Sequence, residues 1–293
     1  MPSPYQPKKE PRYETHKIRG LDYHVTTWGD PRGEPLLLLH GWMDVGATFQ
    51  FLADELDDRW FLVAPDWRGC GQTGWAKGGY WFPDYMADLD ALAEIYSPEN
   101  GLNIVGHSMG GNVAGLYAGL RPDRVARLAS LEGIGILAAI GRQAPERYRR
   151  WLDQIQVKDD FSHYESYEAF ARYRKEKNPR VPVERVLFIA RAWLEENSKG
   201  QVVPRGDPAH KRVNPVLYRR DEAEACWRLV EASVLLVLGE DSEMVEEIGG
   251  QSEFERRQKC FKDITIARIP NAGHMMHHEQ PEWLAGVLEK FFA

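Results

Sequence analysis

The residues with the clearest chemical potential lie at positions 101–111, which read GLNIVGHSMGG. Gly106, Ser108 and Gly110 form a G-x-S-x-G pattern, with His107 and Met109 in the variable places. Leu102, Ile104 and Val105 precede it as a short apolar run of strand type, and Val113, Leu116, Tyr117 and Leu120 follow at helical spacing. A chain that passes from strand to helix within four residues forces the turn residue into strained backbone angles. Flanking glycines remove the Cβ atoms that would clash there. Such a turn lifts a serine Oγ to the carboxyl end of a strand, beside the free amides of a helix start. Ser108 is the expected nucleophile.

A serine hydroxyl attacks only when a base takes its proton. Of nine histidines, His274 is the candidate, because Asn271-Ala272-Gly273-His274 directly follows a strand-like run at 264–269. That places it at the same sheet edge as Ser108. His107 is adjacent to the serine, but neighbouring elbow residues diverge, so it reads as a packing or hydrogen-bonding group. The third member is a carboxylate that fixes the imidazole tautomer. Asp241, after the apolar run 234–238, and Glu132, after 125–131, both qualify. Asp241 comes first by its order in the chain, and Glu132 stays open as the alternative.

Attack creates an oxyanion that needs backbone donors. The amide of Met109, at the helix start, and that of Trp42, in His40-Gly41-Trp42, are the expected pair. His40, Gly41, Trp67 and Trp81 are the candidate pocket residues. Asp66 lies among the turn formers of 65–71 and reads as a carboxylate that caps local amides.

The elements that must position these groups alternate. Segments 12–19 and 21–28 read as an antiparallel pair at a sheet edge. Strand-like runs at 36–39, 61–63, 102–105 and 125–131 then alternate with helical spacings. This pattern predicts a mostly parallel sheet with helices on both faces. Between 137 and 227 the spacing turns helical without a central-strand run, apart from a polar loop at 197–207. The sheet resumes at 234–238 and 264–269, and a final helix carries Trp283, Leu284, Val287 and Leu288. The expected division is a flexible tail at 1–11, a core at 12–136, a helical cap at 137–227 and a second core segment at 228–293. A cap emerging at the carboxyl ends of the strands would lie over the elbow.

With 293 residues, 43% of them hydrophobic, the chain can bury a large core. Its net charge of −7 argues against an extended nucleic-acid surface. Three separated cysteines, Cys70, Cys226 and Cys260, suggest neither a disulfide framework nor a thiolate metal site. No apolar run reaches 18 residues, and the expectation is a soluble, cytoplasmic protein without a membrane span.

With these residues in place, the chain resembles the α/β-hydrolase superfamily over roughly residues 12–293. The motifs are LHGW at 39–42, PDWRGCG at 65–71, GHSMGG at 106–111, GED at 239–241 and NAGH at 271–274, in the expected order. The resemblance extends to capped serine hydrolases, including the serine hydrolase-like proteins. It implies Ser108 as nucleophile, His274 as base and Asp241 at the usual acid position. Relatives commonly carry the acid three residues after the strand-end glycine, which is Ser242 here, and some capped relatives use the preceding strand, where Glu132 falls. The resembling epoxide hydrolases and haloalkane dehalogenases use an aspartate nucleophile, and Ser108 sets that chemistry aside.

The implied activity is hydrolysis of a carboxylic ester of a small to medium substrate through an acyl-enzyme, with no metal or organic cofactor. Carbon–carbon bond hydrolysis and a cofactor-free perhydrolase or haloperoxidase-like activity share the same machinery. A catalytically idle fold used as a binding module is the alternative of another class.

Overall fold

The structure is a computed structural model that describes residues 5–293; Met1 to Pro4 of the expected tail lie outside the described residues. Strands β1 (Arg12–Ile18) and β2 (Leu21–Trp28) pair antiparallel through a turn at Arg19 and Gly20, both at positive φ. β3 (Glu34–Leu39), β4 (Trp60–Pro65), β5 (Leu102–His107) and β6 (Val125–Leu131) follow, separated by α1 (Gln50–Ala53), α2 (Phe82–Tyr96) and α3 (Met109–Leu120). Next come α4 (Ala144–Ile155), α5 (Tyr167–Lys177), α6 (Val183–Trp193), a small antiparallel hairpin of β7 (Leu194–Glu196) and β8 (Val202–Pro204), and α7 (Arg220–Trp227). The chain ends with β9 (Ser233–Gly239), α8 (Met244–Glu247), α9 (Gln251–Gln258), β10 (Ile264–Ile269), α10 (Met276–Glu279) and α11 (Pro281–Phe292).

Eight strands form one sheet in the order β1-β2-β4-β3-β5-β6-β9-β10, parallel from β4 to β10. β3 shows why both faces are covered. Leu37 and Leu39 pack with Leu89, Leu92, Val113 and Tyr117 of α2 and α3, while Leu36 and Leu38 pack with Leu52, Leu284 and Leu288 of α1 and α11. A strand buried on both sides has no polar alternation, and four consecutive leucines satisfy both layers. Among the described residues no helix is long and apolar enough to cross a membrane.

The segment between β6 and β9 adds no strand to this sheet. Its helices α5 and α6 build a separate apolar cluster in which Phe170, Val186 and Ile189 surround Phe51 of the core. Two expectations change here. The polar loop at 197–207 contains part of a hairpin, because Asn197 Oδ1 accepts the amides of Lys199 and Gln201 and Gly200 takes φ +72°, closing a tight turn. In addition, α7 packs on the core: Ala223 and Trp227 join Leu236 and Leu238, and Gly119 of α3 has no room for a Cβ beside the Cys226 carbonyl.

The tail also differs from expectation. From Tyr5 onward it is docked, with Tyr5 Oη donating to Asp54 Oδ2 at 2.6 Å and the Lys9 amide donating to Asp54 Oδ1 at 2.8 Å. Gln50 Nε2 donates to the Lys9 carbonyl at 2.9 Å. Side chains of α1 and its C-terminal end thus supply the partners that a proline-rich segment cannot take from a strand.

Two buried polar contacts fix the loops that leave β3 and β4. Arg68 donates Nε and Nη2 to Asp88 of α2, each at 2.6 Å, and Tyr23 Oη donates to the same carboxylate at 2.7 Å. Asp88→Ala removes both short contacts of the buried Arg68 guanidinium, leaving Asp84 at 3.4 Å, and should cost about 3–5 kcal/mol. Urea unfolding should show that loss, and adding Arg68→Met should recover part of it. The second contact is His40, fully buried, whose Nδ1–H donates to the Gly41 carbonyl at 2.7 Å and whose Nε2 accepts the Trp67 amide at 2.8 Å. Burial pushes its pKa down to about 4. The unfolded chain therefore takes up this proton first as pH falls, so the stability is present above pH 6.5 and is lost toward pH 4. By pH 5 the loss should reach about 2 kcal/mol. His40→Asn should flatten that part of the profile.

Candidate active site

At the end of β5 the backbone turns sharply at Ser108, which takes φ +50° and ψ −112°. Its amide donates to the Leu131 carbonyl at 2.8 Å, and its carbonyl accepts the Asn112 amide at 3.0 Å and Asn112 Nδ2 at 3.1 Å. The glycines around it are steric necessities. A Cβ on Gly106 would lie 2.6 Å from Gly111 Cα, and one on Gly110 would lie 2.2 Å from the Leu39 carbonyl oxygen. α3 therefore approaches β5 and β3 closely, and Ser108 stands above the sheet's carboxyl edge at the helix's first turn.

His274 follows β10 on the same edge. Its Nδ1 lies 2.7 Å from Glu132 Oε2. That carboxylate is fully buried, and its two oxygens are further held by the Gly239 amide and by Ser242 Oγ, each at 2.8 Å. An ionised acceptor at Nδ1 fixes the proton there, so Nε2 is the basic nitrogen. Nε2 makes no hydrogen bond among the described residues. The loop carrying His274 is pinned from below by His107, whose Nε2–H donates to the His274 carbonyl at 2.8 Å, and by Glu279, which accepts the Gly273 amide at 2.7 Å.

Asp241, first among the expected acids, is not at the histidine. Its half-exposed carboxylate accepts from Arg180 Nε at 3.0 Å, and its amide is tied to the Ala272 carbonyl at 2.9 Å. The turn after β9 aims Asp241 at the arginine that follows α5, and the hydrogen-bonding place at His274 belongs to Glu132 instead. Glu132 takes φ +53° to reach it.

The amides of Trp42 and Met109 have no acceptor among the described residues and flank a cleft of about 530 Å³. Gly41 is required beside them, since a Cβ there would sit 2.9 Å from His107 Nδ1 and 3.3 Å from Ser108 Cβ. Trp81 lines the cleft, as does Trp151, which the sequence did not single out. Trp67 and His40 do not line it. Both are fully buried, and Trp67 Nε1 donates to the His40 carbonyl at 2.9 Å, so they brace the loop from behind. Asp66 accepts the Gly46 and Gln72 amides at 2.7 and 2.9 Å, and burial raises its pKa to about 6.

A second polar group lies beneath the histidine loop. Asp44 Oδ1 accepts from the Val45 amide, Thr48 Oγ1 and Trp193 Nε1 at 2.8, 2.8 and 2.6 Å, while His277 Nε2 lies 3.4 Å from Oδ2. Burial opposes its ionisation, yet the His277 hydrogen bond and the neighbouring His278 and His277 side chains hold the carboxyl well below its ordinary range. Burial, reinforced by His277 and His274, keeps His107 neutral. Asp44, His107 and His277 place potential ligand atoms within 4.8 Å of one another, the one group among the described residues that could hold a metal ion. Its carboxylate is already saturated on one oxygen by protein donors. Asp44 had a local signal, two residues beyond the His40-Gly41-Trp42 turn. The link to Trp193 at the end of α6 had none.

Comparison with known proteins places the fold. A zebrafish (Danio rerio) serine hydrolase-like protein is 30% identical over 274 residues, covering 90% of this chain and 83% of its own. The human serine hydrolase-like protein 2 is 31% identical over 282 residues, covering 90% and 88%. A solved hypothetical protein from Pseudomonas aeruginosa PAO1 superposes with a TM-score of 0.84 at 25% identity, covering 96% of this chain and 98% of its own. The family described as the alpha/beta hydrolase fold matches residues 34–281. With that match spanning the sheet from β3 to β10, the turn at Ser108 and the loop carrying His274, the chain belongs to the α/β-hydrolase family.

Proposed function

We propose that this protein is a serine hydrolase that cleaves a carboxylic ester of a small to medium substrate by acyl transfer to water. One observation carries the reading: a fully buried carboxylate, Glu132, lies 2.7 Å from Nδ1 of His274, on the same sheet edge as the strained Ser108. A buried, hydrogen-bonded anion stabilises the imidazolium that forms when the histidine accepts a proton.

In the first step His274 Nε2 takes the Ser108 proton as Oγ bonds to the ester carbonyl carbon. The π electrons move onto the carbonyl oxygen, and the Trp42 and Met109 amides stabilise the resulting charge. Collapse of this intermediate breaks the bond to the alkoxy oxygen, which leaves with the proton from His274 as the alcohol. In the second step His274 removes a proton from water, hydroxide adds to the acyl carbon, and Ser108 leaves reprotonated with release of the acid. The aromatic lining by Trp81 and Trp151 favours an apolar portion next to the scissile bond.

With p-nitrophenyl butyrate the expected result is a burst of nitrophenolate followed by slower turnover, absent in Ser108→Ala, and covalent labelling of Ser108 by a fluorophosphonate. No burst, turnover or labelling would overturn the proposal and favour an idle binding fold. Glu132→Gln should lower kcat by roughly 10³–10⁴-fold, because the amide can hold the wrong tautomer. Asp241→Asn should change kcat less than about threefold, as expected for an exposed ion pair. A larger loss in Asp241→Asn than in Glu132→Gln would remove Glu132 from the acid role.

A further inference from the structure

The cleft beside Trp42 and Met109 has a charge composition that the whole chain does not share. The protein carries 44 acidic against 37 basic side chains. Around the cleft the balance reverses: Lys77, Lys211 and Arg212 line it, and no aspartate or glutamate does. The cations come from two different parts of the fold. Lys77 sits in the Lys77-Gly78-Gly79 loop between β4 and α2, and Lys211 and Arg212 follow β8.

Only one of the three is neutralised by the protein. Arg212 forms an ion pair with Asp159. Lys211 Nζ donates to the Asp160 carbonyl at 3.2 Å and stands 5.6 Å from the Phe161 ring centre, contacts that leave its charge uncompensated. Among the described residues no carboxylate pairs with Lys77. Asn214, also in the lining, spends its side-chain oxygen on the Val216 amide at 2.9 Å and keeps its NH₂ as a further donor.

Like charges brought to one cleft from two segments raise its free energy when it is empty, and a bound anion reverses the sign of that term. Trp42, Trp81, Trp151, Phe82 and Met109 are among the rest of the lining, so a ligand reaching both ends needs a hydrocarbon or ester portion and a charged terminus. We infer that the substrate is an anionic ester, whose carboxylate binds between Lys77 and Lys211 while its ester carbonyl reaches Ser108. This inference rests on the serine-hydrolase reading of the same site. Charge recognised away from the reacting carbon is the kind of remote binding energy that raises kcat/KM.

The test compares esters of matched length with and without the charge. One pair, p-nitrophenyl hydrogen glutarate and p-nitrophenyl valerate, carries the difference on the acyl side. A second pair, 4-(butyryloxy)benzoate and phenyl butyrate, carries it on the alcohol side. In one of the two pairs kcat/KM should favour the anionic member at least tenfold at 20 mM ionic strength, and the preference should shrink at 300 mM. Lys77→Gln with Lys211→Gln should lower that ratio at least fivefold, and Lys77→Glu with Lys211→Glu should reverse it.

Equal rates within both pairs, or a preference that survives both double substitutions, would overturn the inference while leaving the esterase proposal intact. Binding is read separately, by quenching of tryptophan fluorescence in Ser108→Ala titrated with the four esters. If wild type turns over none of them, the esterase reading fails. The anion site then stands only if an anionic ester quenches at lower concentration than its neutral counterpart and Lys77→Gln with Lys211→Gln abolishes the difference.

Discussion

Three glycines meeting without side chains set the geometry on which the site depends. Gly106 at the end of β5, Gly111 in the first turn of α3 and Gly133 after β6 come so close that a Cβ on Gly106 or Gly133 would lie 2.6 Å from Gly111 Cα. This contact lets α3 fold back over the end of its own strand and lets the loop after β6 press against it. The residues next to the contact are then driven to positive φ, Ser108 at +50° and Glu132 at +53°. Such angles are unfavourable for side-chain-bearing residues, and the surrounding packing has to over-determine them. The backbone angles at Ser108 and Glu132 are thus consequences of one close approach between two neighbouring parallel strands. Met43, next to Trp42, and Asn271, three residues before His274, also take positive φ, so the loops after β3, β5, β6 and β10 each carry a non-glycine residue in this region.

The second constraint is electrostatic and joins layers of the protein. Asp44 is buried, and its hydrogen-bonding partners come from the turn after β3, from Thr48, from Trp193 at the end of α6 and from His277 in α10. A lone buried carboxylate would be prohibitive, and three donors on one oxygen make it tolerable. The segment above the site is consequently anchored to the same loop that carries the Trp42 amide. Trp193 and the loop after β3 are joined through a single carboxylate.

Much of the architecture was legible because it follows from local pattern. Fully apolar runs such as 36–39 can only be central strands, and Gly106-His107-Ser108-Met109-Gly110 between a strand and a helix can only be a sharp turn. The histidine was legible because it directly follows the last strand. What the sequence did not disclose depends on direction and distance. Trp67 and Trp81 are both tryptophans near a strand end, but one turns into the core to bond His40 and the other lines the cleft. The prolines near the N-terminus hid a segment whose partners, Gln50 and Asp54, lie more than forty residues away. α7 has the amphipathic spacing of its neighbours, and only the missing side chain at Gly119 opens the core to it.

The carboxylate beside His274 shows the same limit and also its physical resolution. β6 and β9 are adjacent, with Leu131 opposite Val237, so carboxylates after either strand arrive at the same edge. Two ionised groups facing one imidazole would repel each other, and the structure separates them. Glu132, with one methylene more than aspartate, extends from the farther strand and is held by the Gly239 amide and the Ser242 hydroxyl. Ser242 is neutral, and its hydroxyl donates a hydrogen bond to Glu132 where a second carboxylate would repel it. Asp241 turns outward to Arg180, whose guanidinium lies where a Cβ on Gly273 of the histidine loop would meet it at 3.4 Å. One carboxylate is left inside for the histidine, and the other ties down an arginine from the segment over the site. A substitution at Asp241 therefore acts on how that segment sits above the loop, whereas one at Glu132 acts on the charge His274 feels.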